Sequence, residues 1–249
     1  MFEAAIASKP AAIAVGNFFP DPTEPLIKQA AEAGIPVVII NSGGDKFKEL
    51  GAIGFIGEDS YKMGEEGGKI AVAKGVKNGL CINQIAANPV LELRCKGYID
   101  AVIAGGGQAK MVTLASEDIG NSQKVQSAVS AMLMQDQTID GVITLGVAIA
   151  VDALESIRQV RGAGRTVDLG TMDLGNTVLE AIEAGEMSFA MDQQPFLQGY
   201  YGVMIPYLFS TYQMAPSSVM WVGPFVVTKD NAAAVLAVNK KYAGSRGAN

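Results

Sequence analysis

The chain has 249 residues and a net charge of -6, and its longest basic run is Lys240-Lys241, so it lacks the clustered cations that a nucleic-acid partner requires. No histidine is present, which removes the commonest neutral-pH general base and metal ligand, and two cysteines alone cannot close a tetrahedral zinc site. With 49% hydrophobic and 18% charged residues the chain can fill a core, and it holds no stretch of about 18 or more uncharged apolar residues to span a membrane.

Short apolar runs alternate with helical stretches, which predicts an α/β fold whose parallel strands are covered on both faces. Phe2 to Ser8 reads as a helix and Ala12 to Val15 as a strand. Glu3 and Lys9 interrupt the first apolar residues, so no secretory signal is read at Met1; on the sequence alone the chain is cytosolic or its beginning is absent. Asp21-Pro22-Thr23-Glu24-Pro25 opens a helix that ends at Gly34, with proline in the first turn and glycine after the last. Strands at Val37 to Ile40 and Ala52 to Ile56 follow, then a helix from about Ser60 to Lys74 and a strand from Leu80 to Ile85. A helix from Pro89 to about Ala104 leads to strand Met111 to Leu114, a helix from about Ser122 to Met134 and strand Gly141 to Leu145. Next come a helix near Ala148 to Gln159, strand Val167 to Thr171, a helix from about Asn176 to Ala184 and strand Phe189 to Met191. A long helix from Phe196 to Tyr212, strand Val219 to Val222 and a helix from about Asp230 to Tyr242 complete the pattern.

Cys81 falls in a predicted strand and Cys95 on the apolar face of the next helix with Leu91 and Val102, so both thiols point into one layer. A disulfide and a pair of buried thiols both fit that placement. Gly105-Gly106-Gly107 reads as a loop after a helix and not as a phosphate cradle, since no strand precedes it. No G-x-G-x-x-G follows a strand, no Ser or Cys stands in a nucleophile motif, and Glu65-Glu66 reads as a solvated helix face, so the chain is expected not to be an enzyme and to need no cofactor.

In open α/β sheets ligands bind beyond the carboxyl ends of the strands. Polar residues collect there: Asn41-Ser42 after one strand, Asn83-Gln84 and Asn88 after another, Asp173 after a third and Gln193-Gln194 after a fourth. Any one of them alone reads as a loop or helix cap; together they point to a pocket for a polyhydroxylated ligand. Phe18 and Phe19, at another strand end, fit apolar ligand contact and loop packing equally.

Four segments carry a resemblance: Gly34-Ile35-Pro36-Val37-Val38-Ile39-Ile40-Asn41-Ser42, Phe55-Ile56-Gly57-Glu58-Asp59 with Gly67-Gly68, Arg94-Cys95-Lys96-Gly97-Tyr98, and Asp192-Gln193-Gln194-Pro195. In that order and spacing, the chain resembles the type I periplasmic binding proteins of the ribose-binding group, a fold shared with lactose-repressor-like sensors. The resemblance implies two Rossmann-like lobes joined by three crossovers, an N-lobe of residues 1-58 with 194-223 and a C-lobe of residues 59-193 with 224-249. It implies a solute-binding component of an ABC importer that captures a small monosaccharide or sugar alcohol in an interlobe cleft and delivers it to a membrane permease, in the periplasm or outside the cell. An inducer-sensing domain of a lactose-repressor-like regulator is the alternative.

Residue by residue, the resemblance makes Arg94 the sugar-contacting arginine, Asp173 the acid that accepts from hydroxyls and Gln193 the amide near a crossover, with Asn41, Ser42 and Asn88 completing the ligand set. Asn41 and Ser42 stand where ribose binders have an acid and an arginine, Gly146 where relatives place an asparagine, and Asp118-Ile119-Gly120-Asn121 where they offer a stacking aromatic. Relatives also begin with a strand-helix-strand unit before Phe2. Without it the strand Ala12 to Val15 is expected to form an exposed N-lobe edge through which a homodimer could assemble. In an exported protein Cys81 and Cys95 are expected to be oxidised.

Overall fold

The computed structural model describes residues 1–247, in the order α1 (Phe2–Ala7), β1 (Ile13–Gly16), α2 (Pro20–Glu32), β2 (Val37–Asn41), β3 (Gly54–Gly57), α3 (Ser60–Ala73), β4 (Asn78–Asn83), α4 (Pro89–Ala104), β5 (Gln108–Thr113), a 3-10 turn (Ser116–Asp118), α5 (Ser122–Gln135), β6 (Gly141–Thr144), α6 (Val147–Gly162), β7 (Asp168–Met172), α7 (Asn176–Glu183), β8 (Phe189–Asp192), α8 (Pro195–Tyr212), β9 (Met220–Trp221), β10 (Phe225–Thr228) and α9 (Ala232–Lys241). They fall into two units, Met1–Asp59 with Gln193–Gly223, and Ser60–Asp192 with the chain from Pro224 onward.

The first unit holds a four-stranded parallel sheet in the order β1-β2-β3-β9, with β1 and β9 at its edges. Val37 and Ile39 of β2 turn to one face, where they pack with Ile13, Phe55 and Ile27 of α2. Val38 turns to the other, where Ile56 and Ile205 of α8 cover it. Alternate residues of one strand are therefore buried on opposite faces, which is why β2 reads as a continuous apolar run.

The second unit holds six strands in the order β10-β8-β7-β6-β4-β5, parallel throughout except that β10 runs antiparallel to β8. The parallel sheet is as expected; the sequence reading passed from Val219–Val222 to the last helix and did not include the run Phe225–Thr228, which adds this antiparallel strand. One face packs Leu80, Val142, Leu169 and Ala190 under α5, α6, α7 and α9; the other packs Cys81, Ile143, Phe189 and Met191 under α3 and α4.

Helices α3 and α4 approach to backbone contact. A β-carbon on Gly64 would lie 1.8 Å from the carbonyl oxygen of Arg94, and one on Gly97 would lie 2.1 Å from that of Tyr61. No side chain fits either position. On the sheet side of α4, Cys95 is bonded to Cys81 of β4, with 5.6 Å between their α-carbons and both residues fully buried.

A bridge closing 14 residues is expected to contribute about 3 kcal/mol of stability in the chain-entropy estimate. Equilibrium denaturation of the Cys81→Ala/Cys95→Ala protein should show that loss, and the unfolded, unreduced parent should titrate with no free thiol.

A second expectation concerns Asp168, at the start of β7. Burial is the largest influence and raises its carboxyl above the usual range, against opposing help from the Ser188 hydroxyl, Lys74 and Arg161. A raised folded-state value means the folded protein holds the proton more tightly than the unfolded chain. The stability this confers is full below the unfolded carboxyl value and is lost as pH rises through the folded one. Asp168→Asn, which can still accept from Ser188, should be at least as stable as the parent at pH 7, and its advantage should vanish on acidification toward pH 4; denaturation midpoints at the two pH values decide it.

Candidate functional site

The carboxyl ends of the first unit's strands present Asn17 after β1, Asn41 at the end of β2, Glu58 after β3 and Trp221 at the end of β9, with Gly57 in register with both Asn41 and Trp221. Asn41 has φ +71°, a left-handed conformation that asparagine tolerates better than most residues. That turn sends its carbonyl to the backbone N–H of Glu58 at 3.0 Å. Its side-chain amide donates to Gln193 Oε1 at 2.5 Å and to Gln198 Oε1 at 3.2 Å. Gln198 in turn donates to the Gln193 carbonyl at 2.8 Å. Residues 152 positions apart in the chain thus form one cluster of three side-chain amides at the start of α8.

Gln194, also left-handed at φ +52°, donates to the Val222 carbonyl at 2.6 Å, and Pro195 follows in the first turn of α8, where a missing N–H costs nothing. Ser42 is buried and its hydroxyl donates to the Asn17 carbonyl at 3.0 Å, so that hydroxyl proton ties the loop after β2 to the loop after β1. Phe18, Phe19 and Trp221 are each exposed by more than two-fifths, and Trp221 meets Phe55 edge-on with ring centroids 5.6 Å apart.

In the second unit, β4 leads into a polar turn. Asn83 accepts from the Ile85 N–H at 2.9 Å, and Gln84 donates to the Leu145 carbonyl at 3.1 Å. The same Gln84 nitrogen lies 3.1 Å from where a β-carbon on Gly146 would be. A β-carbon at position 146 would therefore need the end of this flexible side chain to give way by a few tenths of an ångström. Asn88 accepts from the N–H groups of Val90 and Leu91 at 3.0 and 3.2 Å, which makes it the N-cap of α4. Its side-chain oxygen is committed to that cap. Arg94, nearly two turns further on, is 3% exposed. Asp173 sits just past β7 with φ +69° and donates its backbone N–H to the Met191 carbonyl at 2.9 Å. Asp192, which closes β8, is buried and paired with Arg246 at 2.8 Å.

The structure therefore joins Asn41 to Gln193 directly, seats Arg94 and Asp173 in the second unit, and gives Ser42 and Asn88 bracing and capping roles. Gln198 and Trp221 were missed from sequence. The only available signal for Gln198 was a polar residue inside an 18-residue helix that carries no charged side chain. Among the described residues, no three acidic or cysteine side chains gather as a metal site would need.

Residues 1–208 match the model of the periplasmic binding protein domain. The chain belongs to that family. Over 96% of its length it is 35% identical to a carbohydrate transporter from Acidothermus cellulolyticus solved in complex with myo-inositol, covering 82% of that chain with a TM-score of 0.87. A solute-binding protein of an ABC transporter from Agrobacterium vitis, solved with bound D-fucose, shares the fold at 23% identity and a TM-score of 0.80, with 100% of this chain and 83% of that one covered. The xylose/arabinose-binding protein of Sulfolobus acidocaldarius is 25% identical over 225 residues, which is 83% of this chain and 54% of that protein. The chain thus spans about half the length of that curated relative.

The left-handed turn at Asn41 gives a direct test. Asn41→Gly keeps the backbone conformation and loses the amide bonds, whereas Asn41→Ala loses both, so alanine should be the less stable of the two by about 1 kcal/mol. Comparison of their denaturation midpoints reads the difference; equal midpoints would mean that the backbone relaxes out of the left-handed region.

Proposed function

We propose that the protein is the solute-binding component of an ATP-driven importer and that its ligand is a small monosaccharide or sugar alcohol, with a cyclic polyol of the inositol kind first among the candidates. The observation that carries this reading is the 35% identity, sustained over 96% of the chain, with a carbohydrate transporter solved with myo-inositol. The side-chain chemistry supports it. Asn41 and Gln193 bring amides that both donate and accept, Arg94 brings a fork of five donors, and Asp173 brings an acceptor for hydroxyl protons. A neutral ligand dense in hydroxyls satisfies such a set without needing a compensating charge.

On this reading the chain binds and does not catalyse. Its other partner is a membrane permease that takes up the captured solute, and its place is the periplasm or the cell exterior. No helix among the described residues is long and apolar enough to cross a membrane.

Isothermal titration against myo-inositol, D-allose, D-fucose, D-xylose and L-arabinose tests the proposal. Saturable binding of at least one is expected. Arg94→Ala and Asp173→Ala should each weaken it by about 10- to 100-fold, since each truncation strands a polar partner at a cost of about 1 to 3 kcal/mol. Binding of none of the panel, with a thermal shift on addition of a nicotinamide nucleotide, would place the chain among enzymes instead.

A further inference from the structure

The Cys81–Cys95 bridge closes a loop that carries several of the second unit's candidate ligand residues. Between the two cysteines lie Asn83 and Gln84 at the end of β4, the cap residue Asn88, and Arg94 itself. Arg94 is the immediate neighbour of Cys95. Its helix is held from three directions. Asn88 fixes the start through the N–H groups of Val90 and Leu91. Gly64 of α3 lies against the Arg94 carbonyl so closely that a β-carbon there would stand 1.8 Å away. The bridge ties the next residue to β4, which is an interior strand flanked by β5 and β6.

A guanidinium carried on a long flexible chain recognises hydroxyls well only if its backbone origin is fixed. Ordinary helix packing leaves room for a helix to slide or rotate by a fraction of an ångström; a covalent tie one residue away, together with a backbone contact to the neighbouring helix α3, does not. We infer that Gly64, Cys81 and Cys95 are positioning residues for Arg94, and that the bridge serves ligand recognition beyond its contribution to the stability of the unit. This rests on the reading of Arg94 as a ligand contact.

The experiment is a cycle of four proteins titrated with myo-inositol, or with whichever sugar of the panel the parent binds most tightly: parent, Cys81→Ala/Cys95→Ala, Arg94→Ala, and the three substitutions combined. Removing the bridge should weaken binding by at least about tenfold when Arg94 is present, in line with the cost of misplacing a binding group. It should change binding by less than about twofold when Arg94 is already alanine, because two groups that act through one another are not additive. A bridge that only stabilises would move the melting temperature in both backgrounds and affinity in neither.

Equal losses of affinity in both backgrounds, or no loss in either, overturn the inference while leaving the sugar-binding reading intact. A parent that binds nothing overturns both. If the double alanine protein does not fold, Cys81→Val/Cys95→Ala fills more of the vacated space and is titrated in its place. Failure of that variant to fold also counts against the inference, since the bridge would then be holding the core of the unit and not one side chain.

Discussion

The constraint on which the candidate site depends is that parallel strands cannot be joined by hairpins. Each return must cross a face of the sheet, and here the crossings are made mostly by helices, so strands such as β4 and β6 are buried on both faces. Every strand that pairs in parallel then delivers its carboxyl end, and the loop beyond it, to one edge of the sheet. Polar residues excluded from two apolar layers collect at that edge: Asn17, Asn41 and Glu58 in one unit, Asn83, Gln84 and Asp173 in the other. The β10 strand departs from this rule without harming it. It enters antiparallel beside β8, Phe225 opposite Asp192, and so starts at the edge where the others end.

Backbone strain is concentrated at the same edges. Among the described residues six non-glycines are left-handed: Asn41, Ala87, Asp173 and Gln194 lie at a strand end or at the start of the helix that follows, while Lys9 and Gln213 follow the ends of α1 and α8. Left-handed conformations cost about 1 to 2 kcal/mol for residues with a β-carbon and persist only where surrounding contacts enforce them. At Asn41 the enforcing contacts are visible. Its carbonyl is held by Glu58 N–H and its amide by Gln193 and Gln198. A straight continuation of β2 would carry the side chain away from α8.

Local signals made much of this legible in the sequence, and their absence explains the rest. Asn88-Pro89 sets a cap and a first-turn proline in succession, and helix α4 begins and ends at the residues expected, Pro89 and Ala104. The continuous apolar runs at Val37 and Leu80 announced buried strands in the same way. Strand β10 was hidden because only Gly223-Pro224 separates it from the apolar run Val219 to Val222, so no helical crossover announced a further strand. The Asn41–Gln193–Gln198 cluster was hidden for a different reason: residues 41 and 198 are brought together by the packing of α8 on β2, and nothing near either residue encodes that long-range contact. Whether Cys81 and Cys95 join was equally a matter of distance, decided by the close seating of α4 on β4.

The amide cluster also bears on how strongly this corner can contribute to binding. Asn41, Gln193 and Gln198 are already bonded to one another, so a ligand hydroxyl that reaches Asn41 exchanges one hydrogen bond for another of the same kind. Neutral bonds swapped in this way yield little net free energy, of the order of 1 kcal/mol or less. A guanidinium or carboxylate bond is roughly twice as strong. On the function proposed above, Arg94 and Asp173 would supply the stronger, charged contacts, while Asn41 and Gln193 would select among ligands by which hydroxyls they can accept from and donate to. The resemblance puts an acid and an arginine where this chain has Asn41 and Ser42, and on the proposed function that exchange would move the corner from strength to discrimination. On that reading, a ligand whose ring carries hydroxyls in every direction, as a cyclic polyol does, would lose least from such a change, because a neutral corner discriminates by the placing of hydroxyls and such a ring presents one whichever way it is turned.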